Sequence, residues 1–284
     1  MFIVTDSGST KTNWTIINKD IIIHSFKTNG LNPYFVNSES ITKELIHNFP
    51  ESIDQNHIQE VYFYGAGCSS QQTKQIILNG CNKFFNRAKI TIESDLLGAA
   101  RALFFNQKGI IAIMGTGSST GIYNGKKITH QINSLGFAMG DEGSGAHLGK
   151  MLLIDYLHHN LPIDLKNLFE NKFTIRKDDI IYSIYKKPSP SKFLASFAAF
   201  IVENKNHPYI KNLIQKSLQE LFEKYICKYP DYKKYPIGIV GSVGYHLKPA
   251  LEQTAQMYGI KIAQILKNPM KKMIDYHIKS KNRL

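Results

Sequence analysis

One order of elements runs through this chain twice, and that order restricts the folds open to it. FIVTD (2–6), NWTIIN (13–18) and IIIHSFKT (21–28) are short β-rich stretches separated by turns. A helical pattern over 38–49, the strand VYFYGAG (61–67), an amphipathic stretch over 70–86, the strand KITIESD (89–95) and the helix DLLGAARALFF (95–105) follow. Three successive strands and then helix–strand alternation imply a mixed sheet covered by helices. At GIIAIMG the pattern restarts, with strands at 109–114, 119–123 and 127–132 and a helix over 144–159. A mostly helical region extends to about 229, and YIKNLIQKSLQELFEKYIC (209–227) is its clearest amphipathic member. The strand PIGIVGS (236–242), the helix GYHLKPALEQTAQMYG (244–259) and the strand IKIAQIL (260–266) complete it. The reading is two related α/β domains meeting near residue 107, with KKPSPSK (186–192) as a loop between helices.

Composition supports two packed cores. The chain has 284 residues, 43% hydrophobic and 11% aromatic, which excludes a disordered polymer. No apolar run approaches the roughly 18 residues of a membrane span. Met1 leads directly into a strand without a basic leader or cleavage site, so a cytoplasmic protein is expected. Lysine and arginine number 35 against 22 acids, a net +13. The excess is scattered and densest at Lys271, Lys272, Lys279, Lys281 and Arg283, without an Arg-rich stripe interleaved with aromatics. This argues against nucleic acid as the partner, and the lack of an apolar span argues against a membrane. Cys68, Cys81 and Cys227 form no C-x-x-C pair and read as reduced thiols. The histidines show no metal spacing, and His158-His159 reads as a surface pair on a helix.

Chemistry points to four turns. DSGSTKT (6–12), GTGSST (115–120) and GSVG (241–244) follow strands, and GDEGSG (140–145) precedes a helix. Any one of them could be tight backbone geometry alone. Together, where open α/β sheets bind ligands, they read as walls of a phosphate site made of backbone N–H groups and hydroxyls. Neither a Walker A loop nor G-x-G-x-x-G is present. Asp6 either starts its turn or holds magnesium through water, while Gly8, Ser9 and Thr10 offer donors and Lys11 adds charge. Asp95, at a strand-to-helix junction, is a helix cap or a general base, and a carboxylate has acceptor sites enough for both roles.

DSGSTKTNW, SDLLGAARALF, IMGTGSSTGIY, LGFAMGDEGSGAHLGKMLL and GIVGSVGYHL occur in this order over essentially the whole chain. The set resembles the actin/hexokinase/Hsp70 superfamily, within the BadF/BadG/BcrA/BcrD group, and most closely its N-acetylglucosamine kinases. The resemblance implies two ribonuclease-H-like domains with a cleft between them, the first of 1–107 plus 268–284 and the second of 108–267. It implies ATP and Mg2+ as cofactors, an amino sugar and MgATP as partners, and it allows a homodimer. By the same carry-over, Thr116 and Gly117 meet the nucleotide phosphates and Ser118 and Ser119 face the sugar. The ligand would then continue the hydrogen bonding where two strands stop. Asp95, in the D-x-x-G-A pattern, becomes the base for the sugar 6-hydroxyl. Asn32 in NGLNPYF, the backbone of Leu135 and Gly136, and the Asp141 carboxylate hold the sugar. Gly241 and Ser242 pass the adenine and ribose, and Glu142 stands behind, toward the metal's water or the turn. Without the resemblance, Asn32-Pro33 is an ordinary turn starter and Asp141 a cap for the helix that follows. KNPMKKMIDYH lacks the glycine that relatives often carry there. The implied activity is ATP-dependent phosphorylation of O6 of N-acetylglucosamine or a close amino sugar. Glucosamine or N-acetylmuramic acid are alternative acceptors. An ATPase activator of the 2-hydroxyacyl-CoA dehydratase type is the alternative class, and its iron–sulfur cluster needs thiolates.

Overall fold

A computed structural model describes residues 1–282, so Arg283 of the basic tail lies outside the described residues. The described residues form two five-stranded sheets. Contacts divide the chain into two compact units. One comprises Met1–Gln107, Tyr123–Ile128 and the segment from Asn268 onward, the other Lys108–Ile122 and Thr129–Lys267.

The first unit runs β1 (Phe2–Ser7), β2 (Lys11–Asn18), β3 (Ile21–Asn29), α1 (Ser38–Asn48), β4 (Glu60–Gly65), α2 (Gln71–Phe84), β5 (Lys89–Ser94) and α3 (Asp95–Phe104). The sheet order is β3-β2-β1-β4-β5, with β1, β2 and β3 antiparallel and β4 and β5 parallel to β1. This is the mixed sheet implied by three strands followed by alternation. Register sets Ser7 beside Gly65 and Gly65 beside Ser94, so three parallel strands end side by side. Trp14 is fully buried, stacks on Phe26 and packs near Phe63 and Phe85. Its indole N–H donates to the Thr28 hydroxyl at 3.1 Å, which makes its burial affordable for a polar ring. Asn37 caps α1, and a Ser70–Thr73 capping box starts α2.

The second sheet and its helices begin with β6 (Lys108–Met114), β7 (Ser118–Asn124), β8 (Ile128–His130), α4 (Gly136–Met139) and α5 (Gly145–Leu157). The helical stretch is α6 (Ile163–Lys172), α7 (Lys177–Tyr185), α8 (Pro190–Ser196), α9 (Ala198–Glu203) and α10 (Pro208–Lys224). After it come β9 (Ile237–Val240), α11 (Ser242–His246), α12 (Lys248–Met257) and β10 (Ile262–Leu266). The sheet order is β10-β9-β6-β7-β8, with β9 parallel to both its neighbours. Ile110, Ala112 and Met114 of β6 share one core with Phe169, Phe197, Phe200, Leu218 and Phe222 of the helices.

Three local expectations are corrected. The loop at 186–192 ends early, because Pro190 opens α8, where its missing N–H costs nothing and its fixed φ suits a helix start. The single helix over 244–259 is two, broken at Leu247, since Pro249 cannot donate to Tyr245 and its ring crowds that carbonyl. His158 and His159 are exposed but lie beyond α5, with His159 in the left-handed region at φ 60°.

The last helix, α13 (Met270–Lys281), packs on α3 within the first unit. His277 Nε2 meets the Tyr64 hydroxyl at 2.9 Å. The Arg101 guanidinium donates to the same hydroxyl and lies over the rings of Tyr64 and Tyr276. No helix among the described residues is long and apolar enough to cross a membrane.

Candidate active site

In the first unit, β1 turns into β2 through Gly8, Ser9 and Thr10, closed by Gly8 N–H donating to the Lys11 carbonyl at 3.0 Å. Gly8, Ser9 and Lys11 are exposed; Thr10 is half-buried, and its hydroxyl has no hydrogen-bond partner among the described residues. Asp6 is the penultimate residue of β1, half-buried, with a side-chain hydrogen bond to Asn13 and the charge of Lys11 nearby. Burial outweighs both and pushes its carboxyl from 3.8 up to about 6. The Ser7 and Thr12 hydroxyls meet at 2.8 Å, and Thr12 also receives Leu31 N–H at 3.2 Å, which seats the NGLNPYF loop. Asn32 is 8% exposed, its Nδ2 donating to Ser9 Oγ at 2.9 Å and its Oδ1 accepting Tyr34 N–H at 3.0 Å.

Asp95 does not cap α3. That position belongs to Ser94, whose Oγ accepts Leu97 N–H at 3.2 Å, while Asp95 is the first helical residue and its Oδ1 accepts Leu96 N–H at 2.8 Å. Burial and the negative charge of Asp6 push the Asp95 carboxyl from 3.8 up to about 6, against the Leu96 hydrogen bond. Asp6, Ser9, Asn32 and Asp95 therefore gather at one end of one sheet.

In the second unit, Gly115, Thr116 and Gly117 join β6 to β7, with Gly115 N–H donating to the Gly117 carbonyl at 3.0 Å. The carbonyls of Gly115 and Thr116 accept the first N–H groups of α5, from Gly145 at 2.9 Å and Ala146 at 3.0 Å. The sequence reading leaves the hydrogen bonding of the interrupted strands to a ligand; for these two carbonyls it is α5 that supplies the donors. A helix start carries unpaired N–H groups, and here they satisfy the interrupted strands. Ser118 N–H and the Ser134 hydroxyl both donate to Asp141 Oδ1. Asp141 is 7% exposed and left-handed at φ 59°, and burial raises its carboxyl despite those donors. The cap of α5 is Ser144, so Asp141 is not a cap. Ser119 is half-buried and takes Gln131 Nε2 at 3.3 Å; Leu135 is exposed, and Gly136 opens α4 at φ 72°.

Of the two directions expected for Glu142, its contacts serve the turn, which it ties to the end of α10: its carboxylate accepts Lys224 Nζ and the Tyr225 hydroxyl, each at 2.8 Å. Ser217 binds His147 Nδ1 at 2.8 Å and Gly143 N–H at 3.3 Å, so the end of α10 and Ser217 fix the GDEGSG turn. Ser134, Ser217, Lys224 and Tyr225 escaped the sequence reading, since nothing local marks a residue whose partner is distant in the chain. Gly241 stands at φ 130°, where an added Cβ would lie 2.2 Å from the Met114 carbonyl oxygen. Ser242 is exposed at the start of α11.

No group of three or more His, Cys, Asp or Glu among the described residues could cage a metal ion. What remains is the Asp6 carboxylate, with Asp95 electrostatically coupled to it, and this fits a magnesium ion bound mainly by water and phosphate oxygens. The three cysteines are free, and burial pushes the thiols of Cys68 and Cys81 up to about 12.

Two α/β units, each built on a five-stranded sheet, define the two-domain fold of the actin-like ATPases. A candidate N-acetylglucosamine kinase of Porphyromonas gingivalis matches with 32% identity, a TM-score of 0.94, and coverage of 99% of this chain and 100% of that one. The chain belongs to that protein's family. A candidate N-acetylglucosamine kinase of Chromobacterium violaceum shares the fold at 16% identity and TM-score 0.69, covering 97% of this chain and 98% of its own. A ROK family glucokinase of Streptomyces griseus, solved with glucose and AMPPNP, does so at 13% identity and TM-score 0.55, with 97% of each chain covered. No family model and no curated protein matches the chain.

Proposed function

We propose that the protein is an ATP-dependent kinase of the BadF/BadG/BcrA/BcrD group that phosphorylates O6 of N-acetylglucosamine or a close amino sugar. The observation that carries this reading is Asp95. It opens α3 directly after the parallel strand β5, is released from capping by Ser94, and has its carboxyl pushed up to about 6 by burial and by Asp6. A carboxylate tuned toward neutrality can accept the proton of a sugar hydroxyl as that oxygen attacks phosphorus. The family relationship to the P. gingivalis protein supports the substrate class.

In this reading Gly8, Ser9, Thr10 and Lys11 meet ATP phosphates, with Thr116 and Gly117 doing the same in the second unit and Gly241 and Ser242 passing the nucleoside. Gly8 and Gly115 support it: neither lies in the left-handed region, and an added Cβ would find no atom nearer than 3.8 Å and 4.0 Å. Nothing in the chain requires glycine there, which leaves close approach of a ligand as the reason for a bare backbone. Asn32, Ser118, Ser119, Asp141 and the backbone of Leu135 and Gly136 take the sugar. Asp6 would hold Mg2+ through water, and the ion would neutralise charge developing on the transferred phosphates. Buried thiols raised to about 12 do not offer the ready thiolates of a cluster-bearing dehydratase activator.

The test is ADP release against a panel of amino sugars with and without magnesium, with phosphorus NMR to place the phosphate. N-acetylglucosamine should give the 6-phosphate, and glucose should be poorer by at least about 10²-fold in kcat/KM, because acetamido partners would be left unpaired. Equal efficiency on glucose defeats the acetamido argument, and phosphate on O1 defeats the role of Asp95.

A further inference from the structure

The NGLNPYF loop does more than lie near the phosphate turn; it is built onto it. A Cβ on Gly30 would stand 2.3 Å from the Ser9 carbonyl carbon and 2.7 Å from the Gly8 carbonyl oxygen, so the two backbones touch. Thr12, the first residue past the turn to be fully buried, accepts Leu31 N–H and donates to the Asn29 carbonyl at 3.1 Å. Asn32 then bridges the gap with its side chain: Nδ2 to Ser9 Oγ, Oδ1 from Tyr34 N–H. Gly67, at φ 80°, backs that amide so closely that a Cβ would lie 2.5 Å from Asn32 Oδ1. An amide with one N–H and one lone pair already committed, 8% exposed and held from behind, has a fixed orientation.

We propose that Asn32 is a positioning residue for the phosphate turn, holding Ser9 in place so that occupancy of the sugar loop and of the phosphate turn are energetically linked. Ser9 is exposed on a short turn, and its hydroxyl can rotate among several partners. The Asn32 N–H supplies the Ser9 oxygen with a donor and leaves the Ser9 O–H directed away from the loop. Because linkage is reciprocal, whatever orders the NGLNPYF loop tightens phosphate binding by the same factor that phosphate tightens the loop's ligand. The sugar half of this statement rests on the proposed kinase function; the effect of Asn32 on the phosphate turn does not.

The experiment is a double-mutant cycle read by calorimetric titration with MgADP alone, no sugar present. Asn32→Ala should weaken MgADP by about 2- to 10-fold, the worth of one such hydrogen bond, although Asn32 is assigned no nucleotide contact. In the Ser9→Ala background the same substitution should change nothing further, because Asn32 acts through Ser9. Ser9→Thr, which keeps the hydroxyl, should restore the effect of Asn32→Ala. Equal factors in both backgrounds, or no effect of Asn32→Ala on MgADP, overturn the proposal. Should Asn32→Ala not fold, Ser9→Ala at an exposed position serves alone. It should reduce the factor by which MgADP tightens N-acetylglucosamine, and an unchanged factor overturns the linkage. A protein that binds no amino sugar at all removes the kinase reading, while the MgADP cycle still decides the role of Asn32.

Discussion

Asp95→Asn should make the protein slower and more stable at once. The carboxyl moves from 3.8 to about 6 on folding. A raised carboxyl means that the folded state holds its proton more tightly than the unfolded chain. Stability is therefore gained as pH falls through 6 toward 3.8, and is forfeited above 6, where the buried group must ionise. At about 1.4 kcal/mol per pH unit, the ionised Asp95 costs about 3 kcal/mol at pH 7.5. The cost shrinks to about 1 kcal/mol at pH 4.5, where the folded group is protonated and the unfolded one mostly is not. Asparagine cannot ionise and keeps an oxygen for Leu96 N–H, so most of that cost is relieved. A protein of this size gains about 2–4 °C in thermal midpoint per kcal/mol.

Turnover should fall by about 10²–10⁴-fold, the usual worth of a positioned base, and the wild-type rate should drop tenfold per pH unit below about 6. Two assays suffice: the ADP-coupled rate from pH 5 to 8, and thermal midpoints of both proteins at pH 7.5 and 4.5. A folded Asp95→Asn protein within tenfold of wild-type turnover refutes the base. Collapse of turnover without a stabilisation that is larger at pH 7.5 refutes the burial argument instead.

Asp6→Ala should abolish magnesium-dependent transfer and lower the acid limb of any residual rate, since the Asp6 charge helps to raise Asp95; titrating magnesium against rate checks this. Glu142→Ala should destabilise by about 1–3 kcal/mol, by leaving the Tyr225 hydroxyl unpaired, and should raise the sugar KM more than it lowers kcat; denaturation and steady-state kinetics decide. His277 is buried as the neutral ring, its pKa lowered to about 3, so stability present above its ordinary 6.5 is lost as pH falls below that value. From pH 7 to 5 wild type should lose about 2 kcal/mol relative to His277→Phe by urea denaturation, and parallel curves would contradict this. Gly115→Ala should fold normally and lose nucleotide affinity, whereas Gly241→Ala should lose stability, its Cβ meeting the Met114 carbonyl; melting curves with and without ADP separate the two.

The sheet of the first unit was legible because its signals are local. Alternating or continuous apolar runs ending in turn residues marked β1 to β5, and each observed strand begins and ends within about two residues of the reading. The helix break at Leu247 was legible in principle, since Pro249 was in view, but a long amphipathic pattern masked it. What could not be read were partnerships. Asp141 meets Ser134 and Ser118, and Glu142 meets Tyr225 some 83 positions away, so only the folded chain reveals which acid serves the loop and which anchors it. The sequence reading considered Asp95 alone as a cap and missed Ser94, because both residue types fit that position and the backbone dihedrals decide.

The same limit applies to the glycines that first drew attention. All four turns carry them, but their reasons differ. Gly241 is glycine because Met114 passes 2.2 Å from where a Cβ would be; outside the four turns, Gly30 is glycine because Ser9 does much the same at 2.3 Å. These serve the chain itself. Gly8 and Gly115 have open space and ordinary backbone, and in the proposed function it is the nucleotide that accounts for their bareness. A glycine-rich motif thus mixes two kinds of evidence that look identical in sequence. Sorting them by what a Cβ would strike keeps the nucleotide argument on Gly8 and Gly115. Gly30 has a task of its own, since its close approach to Ser9 is what lets Asn32 reach the Gly8–Thr10 turn.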